Sequence, residues 1–363
     1  MDALAVRAVL ARTPGLNAEH VQALLAAADD ELERVMESRT LLRVELPPQA
    51  RGFLALPDEA ALRADLQWIA ASGAELFLST DVAYPGRLLQ MPGSPAALFV
   101  LGNAGTLLGP QLAMVGSRSP TPGGRKTARE FAACFARAGL TITSGLAIGI
   151  DAASHEGALA AGGSTVAVCG TGLDRVYPTQ HAGLAARIRA SGALISEFPP
   201  RTPPRKLNFP QRNRVISALA LGTLVVEAAR HSGSLITARH AGEQGREVFA
   251  IPGSIYNPLA CGCHKLIRDG ATLVESPADV LQELKIPLQE EVLVQRADAP
   301  PAAPALDKEY EMLLDAVGFE PATVDVLAAR TGLPGESLAS MLLILELQRR
   351  IAPYPGGRYG RIP

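Results

Sequence analysis

Residues 140–151 read Leu140-Thr141-Ile142-Thr143-Ser144-Gly145-Leu146-Ala147-Ile148-Gly149-Ile150-Asp151, and a helical stretch, Ala152–Ala161, follows. A short apolar run that breaks at small residues and opens a helix is one strand–turn–helix unit of an α/β fold. The same unit recurs outward in both directions. The expected strands are Leu112–Val115, Leu140–Thr143, Thr165–Cys169, Ala193–Ile195, Thr223–Val226, Val248–Ile251 and Thr272–Val274. Their continuous apolar character suits parallel strands buried on both faces. Helical stretches Arg125–Ala138, Ala182–Ala190 and Leu235–Gln244 stand between them, with Gly139, Gly192 and Gly245 as helix stops. The expectation is an α/β fold with a doubly wound, mostly parallel sheet and right-handed crossovers.

In such sheets ligands bind at the carboxyl ends of the strands. The loops there are Gly116-Ser117-Arg118, the Ser144-to-Asp151 turn, Gly170-Thr171-Gly172-Leu173-Asp174 and Ser232-Gly233-Ser234. The loop after Ala193–Ile195 is Pro-rich and carries Arg201, Arg205, Lys206, Asn208, Phe209, Pro210, Arg212, Asn213 and Arg214. Small residues let a ligand reach the backbone, free amides at helix starts hold anions, and Arg adds planar phosphate contacts. Charge points the same way. Net charge over the whole chain is −2, but residues 111–215 carry 13 Lys or Arg against 5 Asp or Glu. Residues 1–110 and 216–363 are each net −5. A basic middle between acidic flanks points to a nucleic-acid or phosphate partner.

Several competing chemistries lack their residues. Gly123-Gly124-Arg125-Lys126-Thr127 resembles a phosphate-binding P-loop, but Arg125 separates Gly from Lys, and the chain contains no Gly-Lys-Thr or Gly-Lys-Ser. No G-x-G-x-x-G opens the first helix of the sheet, so a dinucleotide cofactor is not expected. The glycines alone could serve tight turns, but that does not explain Arg clustering on several loops. Asp151 and His155 share a helix face; with no nucleophile indicated, a helix cap and a backbone-bonded histidine are expected rather than a catalytic dyad. Cys261-Gly262-Cys263-His264 lacks a second Cys pair for a zinc set. No catalytic residue, metal or cofactor is expected.

Length and composition agree with a folded, multidomain chain. The 363 residues are 48% hydrophobic and 19% charged, which excludes a disordered chain, and four cysteines exclude a disulfide scaffold. Met1-Asp2-Ala3-Leu4 lacks the basic start of a signal peptide, and the longest apolar stretch is far too short to span a bilayer. A cytoplasmic protein with no membrane partner is expected. Residues 1–83 read as mostly helical, with a Thr13-Pro14-Gly15-Leu16-Asn17 turn and an amphipathic Leu62–Ala71 helix; the segment resembles sterile-alpha-motif or helix-hairpin-helix bundles. Residues 286–305, rich in Pro and Ala, read as a linker. Beyond it, 306–363 offers helical patterns at Glu309–Val317, Thr323–Thr331 and Glu336–Gln348, then a hairpin from Ile351 to Tyr359. That is the pattern of a winged helix. Its would-be recognition helix is strongly apolar, which favours packing or protein docking over base reading.

The ordered set of motifs resembles the DprA/Smf family, the DNA-processing proteins of natural transformation. The matching words over residues 84–285 are Tyr84-Pro85, Gly116-Ser117-Arg118, Ser144-Gly145-Leu146-Ala147 with Gly149-Ile150-Asp151, and His155. Gly170-Thr171-Gly172-Leu173-Asp174 with Tyr177-Pro178, Ser196-Glu197-Phe198-Pro199 and Phe209-Pro210 with Arg212-Asn213-Arg214 continue the series. It closes with Ser232-Gly233-Ser234-Leu235-Ile236-Thr237-Ala238, Pro252-Gly253 and Gly262-Cys263-His264, where many members carry Asn in place of His264. The resemblance implies an extended Rossmann-like domain at 84–285 that binds single-stranded DNA without ATP, dimerises, helps load the RecA recombinase and counters single-strand-binding protein. It implies that Arg118 and Lys206 hold phosphates and that Ser144, Gly145, Gly233 and Ser234 supply close-range amides or hydroxyls. Gly116, Ser117, Phe209 and Asn213 complete the implied DNA site together with Arg212 and Arg214, which either contact phosphate or brace the loop, and Lys265, Leu266 and Ile267 form the implied dimer contact. Two alternatives stand beside it. One is an enzyme like the nucleoside-monophosphate phosphoribohydrolases, whose glutamate has no counterpart in Ser232–Thr237. The other is a winged-helix regulator of duplex DNA.

Overall fold

The computed structural model describes residues 2–287, 307–318 and 321–362. A nine-stranded sheet forms the centre, in the order β1-β2-β6-β5-β4-β3-β7-β8-β9. The strands are β1 (Glu75–Leu78), β2 (Ala97–Gly102), β3 (Gln111–Val115), β4 (Thr141–Ser144) and β5 (Thr165–Val168). Then come β6 (Ala193–Ser196), β7 (Gly222–Val225), β8 (Glu247–Ala250) and β9 (Thr272–Leu273). β6-β5-β4-β3-β7-β8-β9 pair in parallel, while β1 and β2 add an antiparallel edge beyond β6. Every residue of β3 to β7 is buried, as expected when helices cover both faces.

Each strand run expected from sequence is found, within a residue or two at its ends. β1 is an addition from the region expected to be mostly helix, and β2 one from the start of the expected Rossmann-like domain, where no strand run is expected. β1 is four residues long, too short for its alternation to stand out, and only its pairing with β2 defines it. The sheet therefore begins ahead of residue 84. The N-terminal helices α1 (Ala3–Arg12), α2 (Ala18–Ala27), α3 (Ser38–Arg43), α4 (Pro48–Ala55) and α5 (Glu59–Ser72) share one core with it. Val6, Leu10 and Leu24 pack into the same cluster as Leu76, Phe99, Ala167 and Leu194.

Between the strands lie α6 (Gly86–Leu89), α7 (Pro122–Arg137), α8 (Ile150–Ala160), α9 (Ala182–Ser191), α10 (Asn208–Leu219), α11 (Ser234–Glu243), α12 (Cys261–Arg268) and α13 (Pro277–Glu283). The chain goes from β3 to β4 on one side of the sheet and returns to β7 on the other side of β3. That reversal opens a crevice between the loops after β3 and β7, the place where doubly wound folds bind ligands.

The expected linker lies, from residue 288 to 305, outside the described residues. Residues Lys308–Val317, Val324–Thr331 and Gly335–Leu347 are helices, and β10 (Ala322–Thr323), β12 (Arg358–Arg361) and β11 (Ile351–Tyr354) form a small antiparallel sheet. Leu313, Leu327, Leu338, Leu342, Leu345 and Ile351 close a separate core, which makes this unit a winged helix. The apolar pattern of Gly335–Leu347 is explained in part by that core, although Leu343 and Leu347 remain exposed.

The closest helix packing in the sheet domain is between α7 and α8. It depends on Gly157, where a Cβ would run into the Arg129 carbonyl of α7. Gly157→Ala should therefore force the two helices apart and cost about 1–3 kcal/mol. Gly183→Ala in α9, where a Cβ meets open space, should be neutral or stabilising. Urea midpoints of the two variants check this; equal midpoints would show that the α7–α8 contact yields without cost.

Candidate functional site

A cleft of about 1040 Å³ occupies the crevice at the strand ends. Three segments build it: Val115–Arg118 after β3, Lys206–Asn213 at the start of α10, and Ala229–Thr237 around the start of α11. Tyr177, Ala147, Asp151, Ile216, Pro258 and Cys261 complete its lining. Of the residues singled out by sequence, Gly116, Ser117, Arg118, Lys206, Phe209, Arg212, Asn213, Gly233 and Ser234 meet here.

They do not all face the opening. Arg118 and Lys206 are exposed, and neither has an ion-pair partner among the described residues. The Arg118 guanidinium lies 6.0 Å from the centre of the Phe209 ring, a cation–π distance. Phe209 in turn lies 5.5 Å from the Tyr177 ring, centroid to centroid, tilted by 37°. The three side chains form a ledge with a cation at one end and a half-exposed tyrosine at the other. The acidic side chains that could have neutralised Arg118 are engaged elsewhere. Glu197 pairs with Arg214, and Asp174 pairs with Arg175 and accepts from the Arg201 amide at 2.6 Å.

Arg212 has a different place. It is buried and donates to the carbonyls of Gly145, at 2.6 Å, and Val168. Its Nε donates to Asn213 Oδ1 at 3.1 Å, and Asn213 donates to the Gly233 carbonyl at 3.4 Å. A side chain on residue 145 would strike the guanidinium, so glycine is required there by space rather than by its own dihedral. Asp151 accepts from the Gly145 and Ala147 amides at 3.1 and 3.3 Å. It does not cap its own helix, as the sequence led us to expect, but ties down the loop ahead of it. Burial raises the Asp151 carboxyl; the Arg212 guanidinium and the two amides oppose this. Ser144 is fully buried and spends its hydroxyl on the Met114 carbonyl at 2.6 Å, so that hydroxyl is turned away from the cleft. Arg214 lies outside the cleft lining, paired with Glu197 and donating to the Gly93 carbonyl at 2.8 Å. Ser144, Gly145, Arg212 and Arg214 thus hold the loops in shape.

The structure adds cleft residues that sequence reasoning missed as site residues: Tyr177, Arg230 and His231. Arg230 and His231 directly precede the Ser232-Gly233-Ser234 loop, so their adjacency was the available signal. Arg230 is exposed and has no ion-pair partner among the described residues. A second cleft of about 690 Å³, between α11 and α12, shares Arg230, His231, Ser232 and Ile236 with the first. Lys265 and Leu266 line it, whereas the half-buried Leu266 and Ile267 also pack against the core that contains Ala238 and Cys263. No group of three or more His, Cys, Asp or Glu that could hold a metal occurs among the described residues. No helix among them is long and apolar enough to cross a membrane.

Fold and cleft define a doubly wound α/β protein with a cation-lined crevice and a winged-helix tail. The sequence model described as DNA recombination-mediator protein A matches residues 75–285, and the DprA winged helix domain matches residues 297–357. The protein Smf of Escherichia coli is 44% identical over 85% of this chain and 83% of its own length. DNA processing protein DprA of Streptococcus pneumoniae is 46% identical over 58% of this chain and 74% of its own. The solved structure of the Streptococcus pneumoniae protein superposes with a TM-score of 0.67 at 36% identity, covering 80% of this chain and 99% of that one. A structure of DNA processing protein A from Helicobacter pylori, described in terms of its single-stranded DNA binding mode, gives 0.53 at 26% identity over 58% and 95%. The chain belongs to the DprA/Smf family of DNA-processing proteins.

Beneath the cleft, His155 is fully buried on α8. Thr165 Oγ1 donates to the Ile142 carbonyl at 2.6 Å, so it accepts from His155 Nδ1 at 2.7 Å. His155 therefore bonds a side chain rather than the backbone expected for it. Nε2 is left buried with no partner among the described residues. Burial, helped by His181 and Arg212, pushes the imidazole from 6.5 down to about 3. The unfolded chain takes up this proton before the folded one does. The His155 contribution should thus be intact above pH 6.5 and be lost progressively as pH falls toward about 3. His155→Gln should flatten the wild-type pH dependence in that window, as read from urea midpoints; parallel profiles would refute the assignment.

Proposed function

We propose that this protein binds single-stranded DNA in the cleft between the β3 and β7 loops. It does so without ATP and without catalysing a reaction. It protects incoming strands and helps load RecA recombinase onto them in natural transformation and recombination, in the cytoplasm, as a homodimer and against single-strand-binding protein. The observation that carries the DNA reading is the cleft itself. Arg118, Lys206 and Arg230 are exposed around it with no ion-pair partner among the described residues, while Arg12, Arg201 and Arg214 are consumed by internal ion pairs. Cations left unneutralised at a ligand crevice suit a polyanion. The ring faces of Phe209 and Tyr177 supply a stacking platform indifferent to base identity. The small lips at Gly116, Ser117, Gly233 and Ser234 admit a backbone at close range. Family membership and the description of the Helicobacter pylori relative support the same reading.

In this reading Arg118 and Lys206 each hold a phosphate. Arg118→Ala and Lys206→Ala should weaken single-strand binding and each lower the slope of log affinity against log salt by about 0.7. Melting temperature should stay near the wild-type value, because neither side chain has an ion-pair partner to lose and Arg118, at an exposed position, gives up only its ring contact with Phe209. Fluorescence anisotropy with an oligonucleotide, over a salt series and with or without ATP and Mg²⁺, measures all of this. Unchanged slopes in both variants, or an affinity that requires nucleotide, would overturn the reading.

For the dimer, Lys265, Leu266 and Ile267 on α12 are the proposed contact. Leu266→Glu and the milder Lys265→Glu should shift sedimentation toward monomer while keeping the wild-type circular dichroism spectrum. A folded variant pair that sediments like the wild type would remove α12 from the interface.

A further inference from the structure

The N-terminal helices are tied to the loop that leads into the cleft through a buried carboxylate. Asp65 on α5 has a side chain with 0% exposure and two arginine partners from distant parts of the chain. Arg12, at the end of α1, grips both Asp65 oxygens and also donates to the Pro200 carbonyl at 3.2 Å. Arg201 reaches in from the loop after β6, donating to Asp65 at 2.9 Å and to the Ala61 carbonyl at 2.7 Å. The Arg201 backbone is itself pinned. Its φ is +67°, a left-handed conformation unusual for a non-glycine residue, and its amide donates to Asp174 at 2.6 Å. Next to it, the Thr202 carbonyl accepts from the Gly172 amide at 3.1 Å.

From this anchor the chain has little freedom before it reaches the cleft. Pro203 and Pro204 fix two φ angles, and the Pro203 carbonyl accepts from Asn208 Nδ2 at 3.4 Å. Lys206 lies inside that closed stretch, on the lip of the cleft. A buried ion held by two guanidiniums and backed by two carbonyl contacts is a rigid joint, since separating the charges would strand one of them away from water. We propose that Asp65 is a positioning residue. With Arg12 and Arg201 it makes the N-terminal helical region the clamp that sets the Pro199–Leu207 loop, and through it Lys206, against DNA. The claim that Lys206 meets phosphate rests on the function proposed above; the clamp on the loop does not.

The test uses the full-length protein with Arg201→Gln and Asp65→Asn. Arg201→Gln leaves the Arg12–Asp65 pair in place and so keeps the fold even if Asp65→Asn does not. Trypsin cleavage after Arg205 and Lys206 reads the loop directly. The clamp predicts several-fold faster cleavage there in Arg201→Gln, with cleavage elsewhere unchanged. Single-strand affinity reads the consequence. Arg201→Gln should weaken binding several-fold and lower the salt slope by about 0.7, as loss of the Lys206 contact would. In a Lys206→Ala background it should have no further effect, because it acts through that residue. Unchanged cleavage overturns the clamp, whatever DNA does. Faster cleavage with wild-type affinity, or an undiminished effect in the Lys206→Ala background, overturns its positioning role. If Lys206→Ala alone binds like the wild type, the phosphate role of Lys206 is what fails, and cleavage still decides the clamp.

Discussion

The guanidinium of Arg212 is the contact on which the cleft depends. It reaches from α10 under the sheet's carboxyl edge and bonds the Gly145 and Val168 carbonyls, which belong to the ends of β4 and β5. Those carbonyls lie past the last ladder bonds of their strands, and buried backbone acceptors need donors. One planar group satisfies both, and the same group forbids any side chain at residue 145. Asp151 fixes the loop from the other side through the Gly145 and Ala147 amides. The loop between β4 and α8 is thereby held between a cation and a carboxylate. An arginine buried this way cannot be exchanged for lysine, which lacks the planar fork. Arg212 looks like a phosphate ligand in the sequence, yet its Nε and Nη1 are already committed to the protein.

That contrast explains what the sequence made legible and what it did not. Strand positions were legible because β3 to β8 are buried on both faces, so each appears as an unbroken apolar run such as Leu112–Val115. The location of the cleft was legible too, since strand order in a doubly wound sheet dictates which loops converge. Loss of β1 to a helical reading follows from its length and from having a single partner, β2, whose residues pair with it from 19 to 25 positions on. The roles of individual cations were not legible. Arg118, Arg201, Arg212 and Arg214 stand in similar Gly- and Pro-rich contexts, but only Arg118 is both exposed and unpaired. The difference is made by Asp65 and Glu197, which pair with Arg201 and Arg214, and by the Gly145 and Val168 carbonyls that take up Arg212, all distant in sequence from the arginine concerned. Tyr177 was legible as part of a motif; its ring contact with Phe209 was not, because it joins loops from different strands.

The remaining question is why a fold whose first parallel helix normally holds phosphate should leave that task to side chains. Thr121 caps α7, its hydroxyl accepting from the Gly124 amide at 2.9 Å. The Glu227 carboxylate, from the loop after β7, accepts from the Thr121 amide at 2.9 Å and from its hydroxyl at 2.6 Å. It also lies so close to Gly124 that a Cβ there would meet it. An internal carboxylate thus sits where a ligand's phosphate would sit in a nucleotide-binding relative of this fold. Burial raises its carboxyl, and the Thr121 donors pull the other way. Gly123-Gly124-Arg125-Lys126-Thr127 therefore resembles a phosphate loop in composition while its helix start is filled from within. With that end occupied, the anion-attracting groups left at the crevice are side chains on three loops: Arg118 after β3, Lys206 before α10 and Arg230 after β7. Point charges carried on three separate loops, with the helix start already filled, suit the run of phosphates that the proposed function calls for.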